Sequence, residues 1–218
     1  MRTKKKHSRN IKPKEIKQQP MNATLIQPTE KLYGDHLENE TIRTIYERRA
    51  IRKYKDQSVD KALIEHIIDA GRMAPSAMNR QLWKFYVMTN KNQIKTLSPT
   101  IVKVANKVLS WAHGVDRSKT TDIIFHNAPV VIFITAPRKN KWASLDIGMC
   151  CQNMMLAAKS YGLDTCPIGF AKLLEKTDKI SILGISPSEQ IQLAITLGYG
   201  DEQPKAHERK KDNVKFIE

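Results

Sequence analysis

A short stretch of the chain, ERRAIRKYK at residues 47–55, places positive charge next to apolar residues. Ile51 and Tyr54 lie among five cations, which are Arg48, Arg49, Arg52, Lys53 and Lys55. Arginine can bind a phosphate through two parallel N–H donors, and it keeps its charge when partly buried. The stretch therefore indicates a site for a partly buried anion. It would equally suit a solvated helix end, where cations interact favourably with the helix dipole.

Three further stretches carry groups that could bind a ligand. APSAMNRQLWKF, at residues 74–85, offers the amides of Asn79 and Gln81 and an apolar wall at Trp83, although an ordinary helix-to-strand loop would look similar. DTCPIGF, at residues 164–170, combines Pro and Gly in a way that can expose backbone N–H groups. AHERKKDNV, at residues 206–214, holds Arg209 in a second basic cluster.

Several common catalytic and phosphate-binding motifs are missing from the sequence. It has no Walker-type loop, no G-x-G-x-x-G opening a helix, no G-x-S-x-G elbow and no H-E-x-x-H. The six histidines are scattered and form no plausible triad. This pattern favours a reaction that is carried by a cofactor.

Taken together, the four stretches resemble the nitroreductase family of FMN-dependent oxidoreductases. They occur in the order of that family: an R-R-S-I-R-like motif, A-P-S-x-x-N-x-Q-x-W, a central apolar helix, a P-I-G segment and a late arginine. The resemblance covers about residue 40 to the C-terminus. The departures from the family pattern include Ala50 in place of serine and Leu82 in place of proline.

The resemblance implies roles for individual residues. Arginines of the first and last stretches would hold the FMN phosphate and ribityl chain, with Ala50 lacking one hydroxyl contact. Asn79 would bond the polar edge of the flavin, and Ser76 would approach it from a partner subunit. Ile168 and Gly169 would lie near the flavin N5. The four arginines of this set are Arg48, Arg49, Arg52 and Arg209.

The resemblance also implies an activity and an assembly. The protein would be a homodimer with FMN sites at the interface, using NAD(P)H as electron donor and a nitroaromatic, quinone or similar acceptor in a ping-pong mechanism. Flavin fragmentation, dehalogenation and azoline oxidation on the same scaffold stay open. A nucleic-acid-binding protein with a vestigial flavin site is an alternative of another class, but its basic residues lack interleaved aromatics.

The apolar periodicity predicts the elements that position these motifs. A first helix is predicted to begin near residue 39, with Asn39 or Thr41 as its cap. A second helix is predicted after the candidate cap Asp60, and Gly71 and Pro75 mark its end. Strands are predicted at residues 84–89, 129–136 and 190–198, with a weak edge strand at 213–217 and mixed, mostly helical structure at 91–127.

The longest predicted helix, SLDIGMCCQNMMLAAKSYG at residues 144–162, is apolar nearly all round. Ser144 is its expected cap and Gly162 its expected stop. A helix of this kind lies in a core or a subunit interface. We therefore predict an α+β fold with a nitroreductase-like central, mostly antiparallel sheet flanked by helices, homodimeric with a central buried helix.

The distribution of charge and the cysteine content support predictions on domain organisation and on the cellular compartment. Of the net charge of +15, a large share lies in residues 1–19, which hold eight cations and one glutamate. We expect residues 1–38 to form a flexible basic extension and residues 39–218 to form one FMN-binding domain. No membrane span or secretory signal is expected. We predict that the three cysteines are buried thiols of a cytoplasmic protein; they are Cys150, Cys151 and Cys166.

Overall fold

The fold was obtained as a computed structural model, which describes residues 39–108, 122–210 and 212–218. Helix α1 spans Glu40–Glu47, and its cap is Asn39, whose Oδ1 accepts from the backbone N–H of Ile42 at 3.2 Å. Helix α2 spans Lys61–Arg72, and Asp60 caps it through the N–H of Ala62 at 2.7 Å. Of the two caps predicted for α1 the structure uses Asn39 and not Thr41, and the predicted cap Asp60 of α2 is confirmed.

A four-stranded sheet forms the middle of the described structure. Its strands are β1 (Lys84–Met88), β2 (Val130–Pro137), β3 (Asp164–Ile168) and β4 (Glu189–Gly198). Their spatial order is β1-β2-β4-β3, and each neighbouring pair is antiparallel. One register shift interrupts the β2–β4 pairing between Ile134 and Thr135.

Helices cover both faces of this sheet. Helix α3 (Lys91–Val108) packs on one face with the 3₁₀ segments Gly169–Lys176 and Asp178–Leu183. Helix α4 (Ala143–Ser160) and helix α2 pack on the other. The side chains of β2 divide between the two cores, with Ile132 and Ile134 on the α4 side and Val131 and Phe133 on the α3 side. The predicted mixed helix and antiparallel-sheet architecture is confirmed.

The predicted cap of helix α4 is wrong. The helix begins at Ala143 after Trp142, whose backbone is already in the right-handed helical region, and it has no side-chain cap. Ser144 lies inside the first turn, where its hydroxyl donates to Oε1 of Gln192 at 3.1 Å. The hydroxyl of Ser144 is therefore used to attach the helix to β4 rather than to begin it.

Two further strand predictions differ from the structure. β3 was not expected. It contains Pro167, which has no backbone N–H to donate and is tolerated because β3 is at the edge of the sheet, where one side of the strand has no ladder partner. The predicted edge strand at residues 213–217 is wrong, since the described residues there are coil. Phe216 and Ile217 are 86% and 89% exposed, so no strand among the described residues covers them.

Helices α2 and α4 cross at unusually close range. A Cβ added at Gly71 would lie 2.6 Å from Cγ of Met154 and 3.1 Å from Sγ of Cys150. Next to this contact, the side-chain amide of Asn153 donates to the carbonyl oxygen of Ala70 at 3.3 Å. Glycine is required at position 71 because the partner helix occupies the space of a side chain.

The three cysteines are free and buried, as expected. Burial raises the pKa of the Cys150 thiol to about 12, and it raises the pKa values of Cys151 and Cys166 as well. Within the described ranges no helix is long and apolar enough to cross a membrane. The same residues contain no group of three or more His, Cys, Asp or Glu side chains that could hold a metal ion.

Candidate functional site

The segment after helix α1 is an extended strip that runs along the edge of the sheet. Ala50 forms a parallel bridge with Thr165 of β3, and the N–H of Ile51 donates to the Thr165 carbonyl at 3.0 Å. Ile51 is buried, and the hydroxyl of Tyr54 donates to the Ile51 carbonyl at 2.8 Å and lies 2.7 Å from Oγ1 of Thr196. These two apolar residues fix the backbone that carries the arginines.

Arg48 is the most unusual of these arginines. Its Nε and NH1 atoms are buried and have no hydrogen-bond partner among the described residues. Burial is the main cause that lowers the pKa of Arg48, and the positive charges of Arg49 and Arg209 lower it further. Burying a charge without a partner is costly. The arrangement fits a bound anion that accepts from the Arg48 guanidinium.

Arg209 comes to this place from the other end of the chain. It is exposed, and its NH1 donates to the carbonyl oxygen of His207 at 3.1 Å. Its charge acts on the pKa of Arg48, so the two guanidinium groups lie in one electrostatic neighbourhood. The late arginine therefore acts electrostatically on the early one, although the two lie far apart in the sequence.

The other two arginines are held differently. Arg49 donates from NH1 to the carbonyl oxygens of Tyr46 and Arg48, which closes the end of helix α1. The backbone N–H of Arg52 donates to the carboxylate of Glu202, and its exposed side chain acts electrostatically on His126 and Cys166. Both remain near Arg48, with donors available for a further ligand.

Thr165 belongs to the same neighbourhood, and sequence reasoning did not single it out. The residue is 2% exposed, and its Oγ1 is buried without a hydrogen-bond partner in the described part of the chain. Its backbone carbonyl accepts from Ile51, so its position beside the arginine strip is fixed. No sequence pattern marks this hydroxyl, because its burial arises only when β3 pairs with the strip.

His126 is a second residue that the sequence did not indicate. It lies in a turn held by the buried Asp122, whose carboxylate accepts from the N–H groups of Phe125 at 2.8 Å and Asn127 at 3.1 Å. Burial is the main cause that lowers the pKa of His126. The negative charge of Asp122 raises this pKa, and the positive charge of Arg52 lowers it further. The lowered pKa favours the neutral form of the imidazole.

The loop with Ser76 and Asn79 is shaped by its own hydrogen bonds. Oγ of Ser76 accepts from the N–H of Gln81 at 3.0 Å, and Oδ1 of Asn79 accepts from the Gln81 side-chain amide at 3.0 Å. The N–H of Ala77 donates to the buried carboxylate of Asp146 in helix α4 at 3.0 Å. Met78, Asn79 and Gln81 have positive φ, a conformation that costs free energy in non-glycine residues.

This loop and the arginine strip lie at opposite corners of the sheet. Thr165 pairs with Leu197 near the end of β4, whereas Lys84, just after the loop, is level with Ile191 near the start of β4. Strand geometry puts about 20 Å between those two levels, and the three strand spacings from β1 to β3 add about 14 Å across the sheet. One chain does not bring Asn79 to Arg48.

Ile168 and Gly169 lie between these two corners, where β3 ends. Ile168 is buried and pairs with Ala194 of β4. Gly169 is exposed and begins the 3₁₀ segment Gly169–Lys176, and a Cβ added to it would meet nothing within 4 Å. The backbone there is open to a ligand.

The structure is that of an α+β protein with a cluster of partly buried arginine side chains at the edge of an antiparallel sheet. A model of the nitroreductase family matches residues 45–199. The chain therefore belongs to the nitroreductase family, and the recognition of that family from its motifs is confirmed, as is the expectation of an oxidoreductase.

Individual relatives agree with this assignment. A 4-nitrobenzoate reductase from Pseudomonas putida is 30% identical over 190 residues, which are 71% of this chain and 83% of that protein. A protein of Methanothermobacter thermautotrophicus, provisionally named NADH dehydrogenase/NAD(P)H nitroreductase, is 28% identical over 185 residues, covering 82% of this chain and 87% of its own length. A solved nitroreductase with bound FMN from Desulfitobacterium hafniense superposes with a TM-score of 0.73 at 26% identity, covering 83% and 99% of the two chains.

Proposed function

We propose that the protein is an FMN-dependent NAD(P)H oxidoreductase in which the cationic site binds the FMN phosphate. The observation that carries the proposal is the half-buried guanidinium of Arg48, whose Nε and Nη1 atoms are buried without a hydrogen-bond partner among the described residues and which lies within electrostatic range of Arg209. A phosphate would accept from both groups, and charge-assisted hydrogen bonds of this kind are among the strong ones in proteins. The relative with FMN bound has the same fold, which supports this choice of anion.

The remaining residues then have defined tasks. Arg49, Arg52 and the backbone at Ala50 border the phosphate and ribityl chain. The open backbone at Ile168 and Gly169 faces the reactive edge of the flavin. Bound FMN would take a hydride from NAD(P)H and pass the electrons to a nitroaromatic, quinone or similar acceptor in a second half-reaction. The task of the protein is to orient the cofactor and to polarise it.

We further propose that the site is completed by a second copy of the chain. The distance between the Asn79 loop and Arg48 supports this proposal, because one copy cannot place both on one mononucleotide. In a homodimer, Ser76 and Asn79 of one subunit would reach the flavin that is held by the arginines of the other. The pre-shaped loop suits such a role, since little order has to be gained on binding.

The exposed side of helix α4 is a suitable dimer face. Leu145 is 59% exposed, Gly148 is open, and Met149 and Leu156 are half-buried, so one stripe of this otherwise buried helix presents apolar groups to solvent. Contiguous exposed apolar surface commonly marks an interaction site. A second α4 packed on this stripe would give the central buried helix that the sequence predicts.

The domain proposed to bind FMN spans residues 39–218, with residues 1–38 as a basic extension outside it. The family match at residues 45–199 supports the position of the domain. The free, buried cysteines support a reducing compartment such as the cytoplasm.

The test of the cofactor site is an FMN titration of matched variants. Arg48→Ala and Arg209→Ala should each weaken FMN binding by about tenfold or more, because each removes a charge-assisted contact to phosphate. Lys53→Ala is the control, since Lys53 is an exposed neighbour that pairs with Asp201 at 2.8 Å. Equal losses in all three variants would show that the phosphate is elsewhere.

The same preparation tests the activity. The reconstituted protein should show flavin absorbance that bleaches when NADH or NADPH is added without oxygen. A colourless protein that FMN cannot reconstitute would overturn the proposed function.

A further inference from the structure

Asp146 is a buried carboxylate to which the proposed function gives no task. It is 4% exposed and lies in the first turn of helix α4, between Ala143 and Ile147 of the apolar core. It forms no ion pair with a cation among the described residues. Burying a carboxylate is costly unless hydrogen bonds and local dipoles replace the lost water. The start of α4 supplies a favourable dipole, and the N–H of Ala77 donates to Oδ1 at 3.0 Å, so the partner of this carboxylate is the backbone of a loop.

The hydrogen bond to Ala77 is made where the backbone of the loop becomes strained. Met78, Asn79 and Gln81 have φ values of 56°, 51° and 49°, in the left-handed region that residues with a side chain rarely adopt. Such conformations persist only where the surrounding structure holds them. The hydrogen bonds made by Asn79 and Gln81 stay within the loop, whereas that of Ala77 joins the loop to another element. Asp146 therefore fixes where this strained loop lies relative to α4.

A second polar side chain of α4 holds the chain just before this loop. Asn153 follows Asp146 by two helical turns and therefore lies on nearly the same face of the helix. Its side-chain amide donates to the carbonyl oxygen of Ala70, which belongs to the end of α2, at 3.3 Å. Helix α4 thus contacts both ends of the segment that leads from α2 into the loop, and the position of the loop follows that of the helix.

We propose that Asp146 is a positioning residue for the flavin site. Its hydrogen bond to Ala77 keeps Ser76 and Asn79 in the conformation in which they meet the flavin held by the arginines of the partner subunit. The inference rests on the proposed function, which assigns those two residues to the flavin. Because the proposed dimer face lies on the same helix, α4 sets both the contact between the subunits and the placement of the loop that reaches across it.

Trypsin cleavage after Arg80 measures how firmly the loop is held, without involving FMN. Arg80 is exposed, and its cleavage is identified by the new N-terminus at Gln81. In the FMN-free protein, Asp146→Ala should be cleaved there about tenfold faster than the native protein, because proteolysis follows the local opening that the lost hydrogen bond permits. Asp146→Asn keeps an oxygen acceptor and should stay within about twofold of the native rate. Asp146→Leu is measured in the same way if the alanine variant does not fold.

Two controls separate positioning from general stability. Ser144→Ala removes a hydrogen bond from the same turn of α4 to Gln192, away from the loop, and should leave cleavage after Arg80 within about twofold of the native rate. A general loss of stability would also speed cleavage after Lys176, which is exposed at the end of the 3₁₀ segment on the other face of the sheet. Equal acceleration at Arg80 and Lys176 in Asp146→Ala would overturn the inference.

FMN titration links the loop to the flavin. Asp146→Ala should weaken FMN binding by about threefold to tenfold, and Asp146→Asn by less than about twofold, since only the first loses the acceptor. In an Asn79→Ala background, Asp146→Ala should add less than about twofold, because its effect reaches the flavin through Asn79. Additive losses in the double variant, or cleavage after Arg80 at the native rate in Asp146→Ala, would overturn the inference and leave the proposed function intact. A native protein that does not bind FMN would overturn the proposed function and the inference with it.

Discussion

At the scale of single residues, the candidate site is marked by buried polar atoms that have no hydrogen-bond partner among the residues that the structure describes. Arg48 contributes two such atoms and Thr165 one, and the strip at residues 48–52 runs directly beside Thr165. Buried polar groups are rarely left unsatisfied in folded proteins. The two unsatisfied side chains belong to neighbouring segments of the chain, and each of them is a candidate contact for the proposed ligand.

Substitution of Thr165 tests this interpretation of the hydroxyl. Thr165→Val keeps the shape of the side chain but removes the donor, so we expect FMN affinity to fall about threefold to tenfold. The same change should stabilise the FMN-free protein by up to about 1 kcal/mol, because an unsatisfied buried hydroxyl is removed. FMN titration and urea unfolding measure the two effects.

Thr165→Ser is the control, since it retains the hydroxyl and should bind FMN nearly as the native protein does. If Thr165→Val binds FMN with native affinity, the hydroxyl is not a ligand of the cofactor.

Glu189 is a buried carboxylate that accepts three hydrogen bonds from neighbouring side chains. It accepts from Nζ of Lys84 at 2.6 Å, from Oγ1 of Thr135 at 2.7 Å and from the hydroxyl of Tyr86 at 3.0 Å. Burial alone would raise the pKa of Glu189, but these three hydrogen bonds outweigh it and hold the pKa below its usual value. The carboxylate joins the start of β4 to β1 and β2.

The lowered pKa of Glu189 predicts a pH-dependent contribution to stability. A depressed pKa in the folded state gives stabilisation that is complete above the unfolded value of about 4.3 and is lost as the pH falls through the folded value. Glu189→Gln should therefore cost about 1–2 kcal/mol at pH 7, and the difference from the native protein should narrow below about pH 4.3. Urea unfolding across this pH range measures the stability difference between Glu189→Gln and the native protein. A stability difference that stays constant at all pH values would contradict a lowered pKa for Glu189.

At the scale of elements, the α2–α4 crossing shows how close packing can override local preference. Alanine would favour the helix over glycine by about 1 kcal/mol. The distance of 2.6 Å from a Cβ at position 71 to Cγ of Met154 means that the neighbouring side chain or the whole helix would have to move. Overpacking of this kind typically costs more than the helix preference gains.

Gly71→Ala should accordingly destabilise the protein by about 1–2 kcal/mol. In a Met154→Ala background the same change should become neutral or stabilising by up to about 1 kcal/mol, since the space is then free. A double-mutant cycle from urea unfolding gives the coupling. Equal effects of Gly71→Ala in both backgrounds would show that the contact does not limit the crossing.

Elements with strong local signals were predictable from the sequence. The caps at Asn39 and Asp60, the apolar run of β2 and the glycine-rich end of β4 all lie where local patterns placed them. The start of α4 was wrong because Trp142 already adopts helical backbone and Ser144 bonds Gln192 on a distant strand. Such a contact depends on tertiary packing and leaves no local pattern.

The candidate site could be predicted from the sequence in part. Its arginines stood out in the sequence because their type and spacing suit anion binding, and their role stays a prediction. Thr165, His126 and Asp146 were missed, since their roles come from burial and from partners 20 or more residues away or on other elements. The opposite-corner placement of the Asn79 loop follows from the strand order β1-β2-β4-β3, which the motifs do not encode.

At the scale of the whole molecule, Gly148 provides a selective test of the proposed dimer. It lies on the exposed stripe of α4, and a Cβ added there would meet nothing within 4 Å in one chain. Gly148→Arg should leave the monomer fold intact and favour the helix slightly. It should nevertheless prevent a second α4 from packing closely on the stripe.

We expect Gly148→Arg to lower the sedimentation mass from dimer to monomer and to weaken FMN binding by tenfold or more, because half of the site is lost. Gln93→Arg, at an exposed position of α3, is the control and should change neither. A Gly148→Arg protein that remains a dimer with native FMN affinity would exclude α4 as the interface.

Because all three cysteines are buried, the labelling of their thiols measures unfolding of the protein. Thiol reagents react with the thiolate form of cysteine. In the native molecule the raised pKa values of the thiols keep the thiolate fraction low, and burial keeps the reagent away from the sulfur atoms. Maleimide labelling under native conditions would therefore register the chains that have opened. The native enzyme should also resist oxidants that inactivate flavoproteins with accessible thiols.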